Sequence, residues 1–265
     1  MGRALGGGDS EFQADRTRSS ADDAAIWRRF RGLAGEDARI GALQRLKLSG
    51  PVPKAFTHHL PDLIPADTWR GEALMRDVWR IGMERLTLER AQPPWTVPLP
   101  SRHFADRLHR FDWLSDLVSQ GVTGQERAAG FVDSWIQSFG TFNGFAWRAE
   151  PTAHRLWNWM RCSEVLFAEG CPPERMECLM RQLRYLSEIL DQTTNPRTRW
   201  MGSCLMVARA VCLDGAHRLD EALARLDGEC TAQILPDGGH VSRAPSRLLF
   251  CLLQLQTLEE LLTRA

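Results

Sequence analysis

The sequence predicts an all-α protein, built from antiparallel helical hairpins laid in series. Three observations carry that prediction. From His103 onward, apolar side chains recur every three to four residues, the period of one helical face. Gly, Pro and Asn-Pro punctuation interrupts the pattern at similar intervals, leaving short connections that force neighbouring helices to run antiparallel. No segment sustains the alternation of a half-buried strand.

The elements follow in order. Residues 1–21 are rich in Gly, Ser, Asp and Arg without periodicity and read as a disordered tail. Residues 22–102 form an irregular and helical N-terminal region. Within it, Ala24 to Leu33 places Ile26, Trp27, Phe30 and Leu33 on one helical face, and Ser49 to Pro65 is broken by four prolines. His58 and His59 lie there, but neighbours on extended chain point to opposite sides, which disfavours joint metal ligation. Trp69 to Leu88 reads as weakly helical and ends before Pro93-Pro94-Trp95.

Residues 103–265 are the regular array. A helix from His103 to Ser119 carries Phe104, Leu108, Phe111, Leu114 and Leu117 on one stripe. Gln125 to Phe139 follows Gly121 and Gly124. Pro151 opens a helix to Phe167, and Pro172-Pro173 starts one bearing Met176, Leu179, Leu183, Leu186 and Leu190. Asn195-Pro196 precedes a helix from Trp200 to Leu213. Gly215 separates it from the Leu219, Leu223, Leu226, Cys230, Ile234 series, and Leu248 to Leu262 closes the array. Periodicity alone leaves a closed toroid and an open solenoid equally available.

Composition bounds function. At 265 residues and 43% hydrophobic, the chain can bury a substantial core. Formal net charge is zero, so no global field holds nucleic acid or a membrane surface, and neither is expected as a partner. Lys47 and Lys54 are the only lysines; the arginines that replace them suit carboxylate and sulfate recognition. Seven cysteines, an odd number without a CxxC pair, read as buried thiols rather than a zinc or disulfide framework. No metal site and no cofactor are expected. Without a signal-peptide or membrane-length apolar run, the chain as written is expected in the cytoplasm, with the periplasm the alternative.

The densest chemistry lies between Gln233 and Pro245. Pro236 stops the preceding helix, and Asp237, Gly238 and Gly239 supply turn chemistry. His240 and Arg243 are thereby displayed at a helix-to-helix junction. A plain helical hairpin accounts for the same residues equally well.

Leu235-Pro-Asp-Gly-Gly-His-Val-Ser-Arg-Ala-Pro245 resembles the signature that closes the helical domain of bacterial heparinase II/III-like proteins. His109-Arg-Phe-Asp-Trp-Leu-Ser-Asp-Leu117 resembles the family's helix with an aromatic-Asp-Trp-Leu core. Ala146-Trp147, with Thr152, Arg155 and Leu156-Trp-Asn-Trp-Met160, resembles the loop and helix that come next. The resemblance runs from about Trp95 to the C-terminus. It implies a partial α/α toroid, with the family's C-terminal β-sandwich absent and the array incomplete at its edge, where self-association through the Leu-rich face of Leu248 to Leu262 is expected.

The resemblance also implies a polysaccharide lyase that cleaves beside a uronic acid by β-elimination, with an acidic polysaccharide (a glycosaminoglycan or another uronate polymer) as partner. Such a site needs a base for the C5 proton, a neutraliser for the sugar carboxylate and an acid for the leaving oxygen. On this chain His240 is the candidate base or neutraliser. Arg243 is the candidate for binding the substrate carboxylate or sulfate, and Asp237 orients the loop or caps the next helix. Trp147, Trp157 and Trp159 are candidate sugar-stacking platforms, with core packing as the competing role.

Departures limit that reading. Where the family places a Tyr-His pair after the Asp-Gly signature, this chain has Ser246 and Arg247. Where it places an Asn-His pair, this chain has Trp200-Met-Gly-Ser-Cys204. The single tyrosine, Tyr185, sits inside an apolar stripe. Little or no turnover is therefore expected, and a non-catalytic helical-repeat module binding a glycan or protein partner is the alternative.

Overall fold

The computed structural model describes residues 48–89, 92–213 and 218–265. The expected tail of residues 1–21, the expected Ala24 to Leu33 helix and the Gly215 junction lie outside them. Among the described residues the elements are α1 (Thr68–Met75), β1 (Val78–Ile81), β2 (Glu84–Thr87), a 3-10 turn (Pro94–Thr96), α2 (Arg102–His109), α3 (Leu114–Val118), α4 (Gly121–Phe139), α5 (Ala149–Arg161), α6 (Ser163–Leu166), α7 (Pro173–Ile189), α8 (Pro196–Cys212), α9 (Leu219–Gln233) and α10 (Pro245–Arg264). Among the described residues the fold is all-α apart from one two-stranded hairpin.

The long helices lie in two layers. Buried α5 and α8 pack on each other, and α10 packs on α8; outside them lie α4, α7 and α9. Contacts between named residues fix the directions. Gln233, at the end of α9, donates to the Pro196 carbonyl at the start of α8 (2.9 Å), so that pair is antiparallel. Arg155 meets Gln182 while Arg175 reaches Leu166 just beyond α5, so α5 and α7 are antiparallel too. Within the inner layer, α8 and α10 run parallel: Arg197 stacks on Phe250 near their N-termini, and Met201 meets Gln254 one turn further on. This is the arrangement of part of an α/α toroid.

Three departures from the sequence reading have physical causes. The stretch from Trp69 to Leu88 is not a single weak helix. It is α1 followed by an antiparallel hairpin that pairs Val78 with Thr87 and Ile81 with Glu84. Gly82, at φ +60°, makes the tight turn, and Trp79 points into the core at 1% exposure.

The helix expected from His103 to Ser119 breaks between His109 and Leu114, where Phe111 adopts φ +60°. The carbonyls freed by the break find donors from elsewhere. Arg155 donates to the His109 carbonyl (2.9 Å), Asn158 to that of Arg110 (3.0 Å) and the Trp113 indole to that of Leu108 (3.2 Å).

Gly121 and Gly124, read as a break before Gln125, instead lie inside α4. A Cβ on Gly124 would sit 2.2 Å from the Leu117 carbonyl oxygen, so that glycine permits close packing of α4 on α3.

The core centres on Arg155. It is wholly buried, yet it has no carboxylate partner among the described residues. Its guanidinium donates to Gln182 Oε1 (2.7 Å), the His109 and Ala146 carbonyls (2.9 and 3.0 Å) and Thr152 Oγ1 (3.1 Å), and it stacks on Trp135 at 4.2 Å. Burial pushes its pKa down to about 9, which leaves it charged at neutral pH. One side chain thus joins α2, α4, α5, α7 and the loop before α5.

Replacing Arg155 strands buried acceptors on several elements at once. Arg155→Met is expected to cost about 3–5 kcal/mol in urea unfolding, the scale for removing one member of a buried charged network. Arg155→Lys is expected to recover little of it, since three ammonium donors do not reproduce a planar fork. A wild-type urea midpoint for either variant would remove Arg155 from this role.

Candidate functional site

The Gln233–Pro245 loop is a compact turn. Ile234 and His240 form an isolated bridge, and Leu235 N–H donates to the Gly239 carbonyl and Val241 N–H to that of Gln233 (2.8 and 2.9 Å). Gly238 takes the left-handed conformation at φ +80°. Gly239 does not; its missing Cβ leaves room for Arg243 Nη1 and Asp237 Oδ1, which would lie 3.0 and 3.1 Å from it.

Asp237 orients the loop and does not cap α10, whose N-cap Ala244 has no side-chain hydrogen bond. Its Oδ1 accepts from Gly239 N–H (3.0 Å) and its Oδ2 from Arg243 Nη1 (2.5 Å). The Arg243 hydrogen bond is the first cause holding the Asp237 carboxyl below its ordinary pKa. Arg243, read from sequence as a substrate-binding group, pairs one guanidinium nitrogen with Asp237, stays exposed, and does not line the neighbouring cavity.

His240 is 8% exposed and lines a cavity of about 280 Å³ between the starts of α8 and α10. Ser242 backbone N–H donates to His240 Nδ1 (3.0 Å), and Ser242 Oγ lies 2.8 Å from the same nitrogen. A backbone N–H can only donate, so Nδ1 holds the lone pair and the neutral ring carries its proton on Nε2. In that tautomer Nε2 is a donor. That suits neutralising an anion; it does not suit accepting a proton.

The tryptophans face inward. Trp147 is fully buried with its indole N–H donating to the Phe139 carbonyl (2.7 Å). Trp157 is 4% exposed and Trp159 fully buried. None presents a ring face to solvent as a sugar platform, because the inner layer of helices consumes all three. Tyr185 is packed against Phe142 and Trp147, each at 5.4 Å.

Other groups, not singled out by sequence, gather around the cavity. Arg197 in the first turn of α8 lies over the Phe250 ring at 4.4 Å, and Arg247 lies in the first turn of α10. Behind Phe250 (ring centroids 6.1 Å apart) sits His154 on α5, with Nε2 buried and unpartnered and Nδ1 3.9 Å from Asp112 Oδ1. A pattern available in the sequence does mark the two arginines. Each follows within two residues of a helix-opening proline, with no acidic residue in that first turn, the reverse of the usual charge preference.

No family model matches the chain. It is 32% identical over 221 residues to FtsZ-localized protein C of Caulobacter vibrioides (strain NA1000 / CB15N), a match covering 82% of this chain and 38% of that protein. The chain thus spans well under half the length of this curated relative. Two crystal structures of heparan sulfate lyase HepC from Pedobacter heparinus, one of them a mutant, superpose with a TM-score of 0.47 at 15% identity. They cover 83% and 97% of this chain, and the chain covers 42% and 46% of theirs.

The buried imidazoles make stability depend on pH. Burial, reinforced by Arg155 and Arg148, drives the His109 pKa down to about 3. Its Nδ1 accepts from the Trp135 indole (2.9 Å), a bond that protonation would break. Burial likewise lowers His154 to about 3, against the opposing pull of Asp112. In the unfolded chain both protonate near pH 6.5. Between those values the unfolded state binds more protons, so stability present above pH 6.5 is lost as pH falls towards 3. Melts at pH 7 and pH 5 should differ by about 2 kcal/mol per histidine. The double variant His109→Gln/His154→Gln is expected to flatten that dependence; an unchanged slope would assign the acid sensitivity to other groups.

Proposed function

We propose that this chain is a non-catalytic helical binding module that acts alongside FtsZ. The 32% identity to FtsZ-localized protein C across 82% of the chain carries this reading. The local chemistry supports the absence of turnover. β-Elimination needs a base with an available lone pair and an acid for the leaving oxygen. The His240 lone pair is occupied by Ser242 N–H, and Tyr185 is packed in the core.

A second reading, as the helical half of a lyase acting on an acidic polysaccharide, is favoured by one observation: His240 lies on a cavity beside two cationic side chains. Arg243 does not line that cavity, so on this reading it would meet the polymer outside it.

A fluorescently tagged copy of the chain, expressed in Caulobacter vibrioides with labelled FtsZ, is expected to concentrate where FtsZ does. A diffuse signal over intact FtsZ structures would overturn the proposal. Incubation with heparan sulfate or alginate is expected to give no rise in the ultraviolet absorbance of unsaturated sugars. A sustained rise abolished by His240→Ala would reinstate the lyase reading.

A further inference from the structure

The inner helices bring several N-termini to one end of the array. α5 begins there with Glu150, which pairs with Arg110 (2.7 Å) and lies close enough to act on Arg197. It complements the positive end of its own helix. The neighbouring starts of α8 and α10 carry no acidic residue in their first turns; they carry Arg197 and Arg247 instead. A cation in that position opposes the helix dipole, and the two arginines also repel each other. Among the described residues, only the stacking of Arg197 on Phe250 offsets this in the folded chain.

The charges around it do not balance. Four arginines act on this region: Arg107, Arg110, Arg197 and Arg247. The two carboxylates among them are already engaged, Asp112 by Arg107 (2.9 Å) and Glu150 by Arg110. Among the described residues, Arg197 and Arg247 have no ion pair, and Arg197 Nε is buried without a partner.

Between them lies the cavity of about 280 Å³. Trp200 lines it, wholly buried, with an indole N–H that has no acceptor. His240 lines it with the Nε2 proton fixed by the Ser242 contact. Buried donors without acceptors are costly unless something supplies the acceptor, and Arg197 Nε is such a donor beside the cavity.

We propose that this cavity is an oxyanion-binding site, in which Arg197 and Arg247 hold the carboxylate or phosphate of a small polar ligand. The His240 imidazole lines the same cavity. Paired guanidiniums match the oxygens of either group, and two helix N-termini add to the attraction. Phe250, already covered by Arg197, gives the ligand body an apolar wall. The site is independent of the association with FtsZ, so a diffuse cellular signal would leave it standing.

Titration calorimetry on the whole chain tests it with three probes: glucuronate for the carboxylate, glucose 6-phosphate for the phosphate and glucose as the uncharged control. At least one acid is expected to bind saturably and more weakly as salt rises, with no heat from glucose. Which acid binds identifies the source of the oxyanion. Arg197→Gln and Arg247→Gln are each expected to weaken that binding at least about tenfold, the scale of a lost charge-assisted hydrogen bond. Thermal melts separate a ligand role from a structural one. Arg247→Gln should leave the ligand-free melting temperature unchanged or raised, because it removes an unfavourable charge. Failure of both acids to bind at low millimolar concentration would overturn the proposal. So would wild-type affinity in both variants, or a marked fall in melting temperature for Arg247→Gln.

Discussion

The buried Arg155 guanidinium organises the molecule. Isolated charge in an apolar interior is prohibitive unless hydrogen bonds replace its water. Here a glutamine, a threonine and two backbone carbonyls do so, with the Trp135 face closing the shell. Each acceptor belongs to a different place in the chain, so the elements must meet in one geometry or leave the charge exposed. The break after α2 becomes intelligible in that light. The chain gives up helix continuity at Phe111, and the His109 carbonyl it frees becomes a ligand of Arg155 while Asn158 takes the next one. A cation at a helix C-terminus is also where the dipole favours it.

Much of the helical array was legible from periodicity, because long amphipathic stripes bounded by proline have few alternatives. α7, α8 and α10 begin at Pro173, Pro196 and Pro245, as proline's fixed φ and missing N–H allow. What escaped was local structure decided by tertiary contact. The Val78–Thr87 hairpin is too short for alternation to register, and its clearest mark was the Gly82-Met83 turn between Ile81 and Glu84. The break at Phe111 has no marker of its own, since neither Gly nor Pro stands there; its cause lies 44 residues on, in Arg155. Gly124 misled in the other direction, since a glycine needed for close helix packing reads like a helix breaker.

The candidate site was legible as a place more than as a set of residues. The turn chemistry of Asp237, Gly238 and Gly239 located the junction, and His240 does reach a cavity there. The partner chosen for it from sequence, Arg243, is tied to Asp237. The tryptophans taken as platforms are core. Hydrogen-bond partnership and burial settle these points, and both depend on helices distant in sequence. Arg197 and Arg247 were passed over because the sequence does not show that two helix starts 50 residues apart meet. Only the parallel packing of α8 and α10 brings the two together.

That convergence also supports the proposed reading of this end of the array as a place that holds an anion. Elimination at a uronate demands a proton acceptor in the cleft; here two guanidiniums line the cavity, and the His240 lone pair at Nδ1 is held by Ser242. A guanidinium stays protonated throughout the neutral range; it can hold an anion indefinitely but cannot take a proton from one.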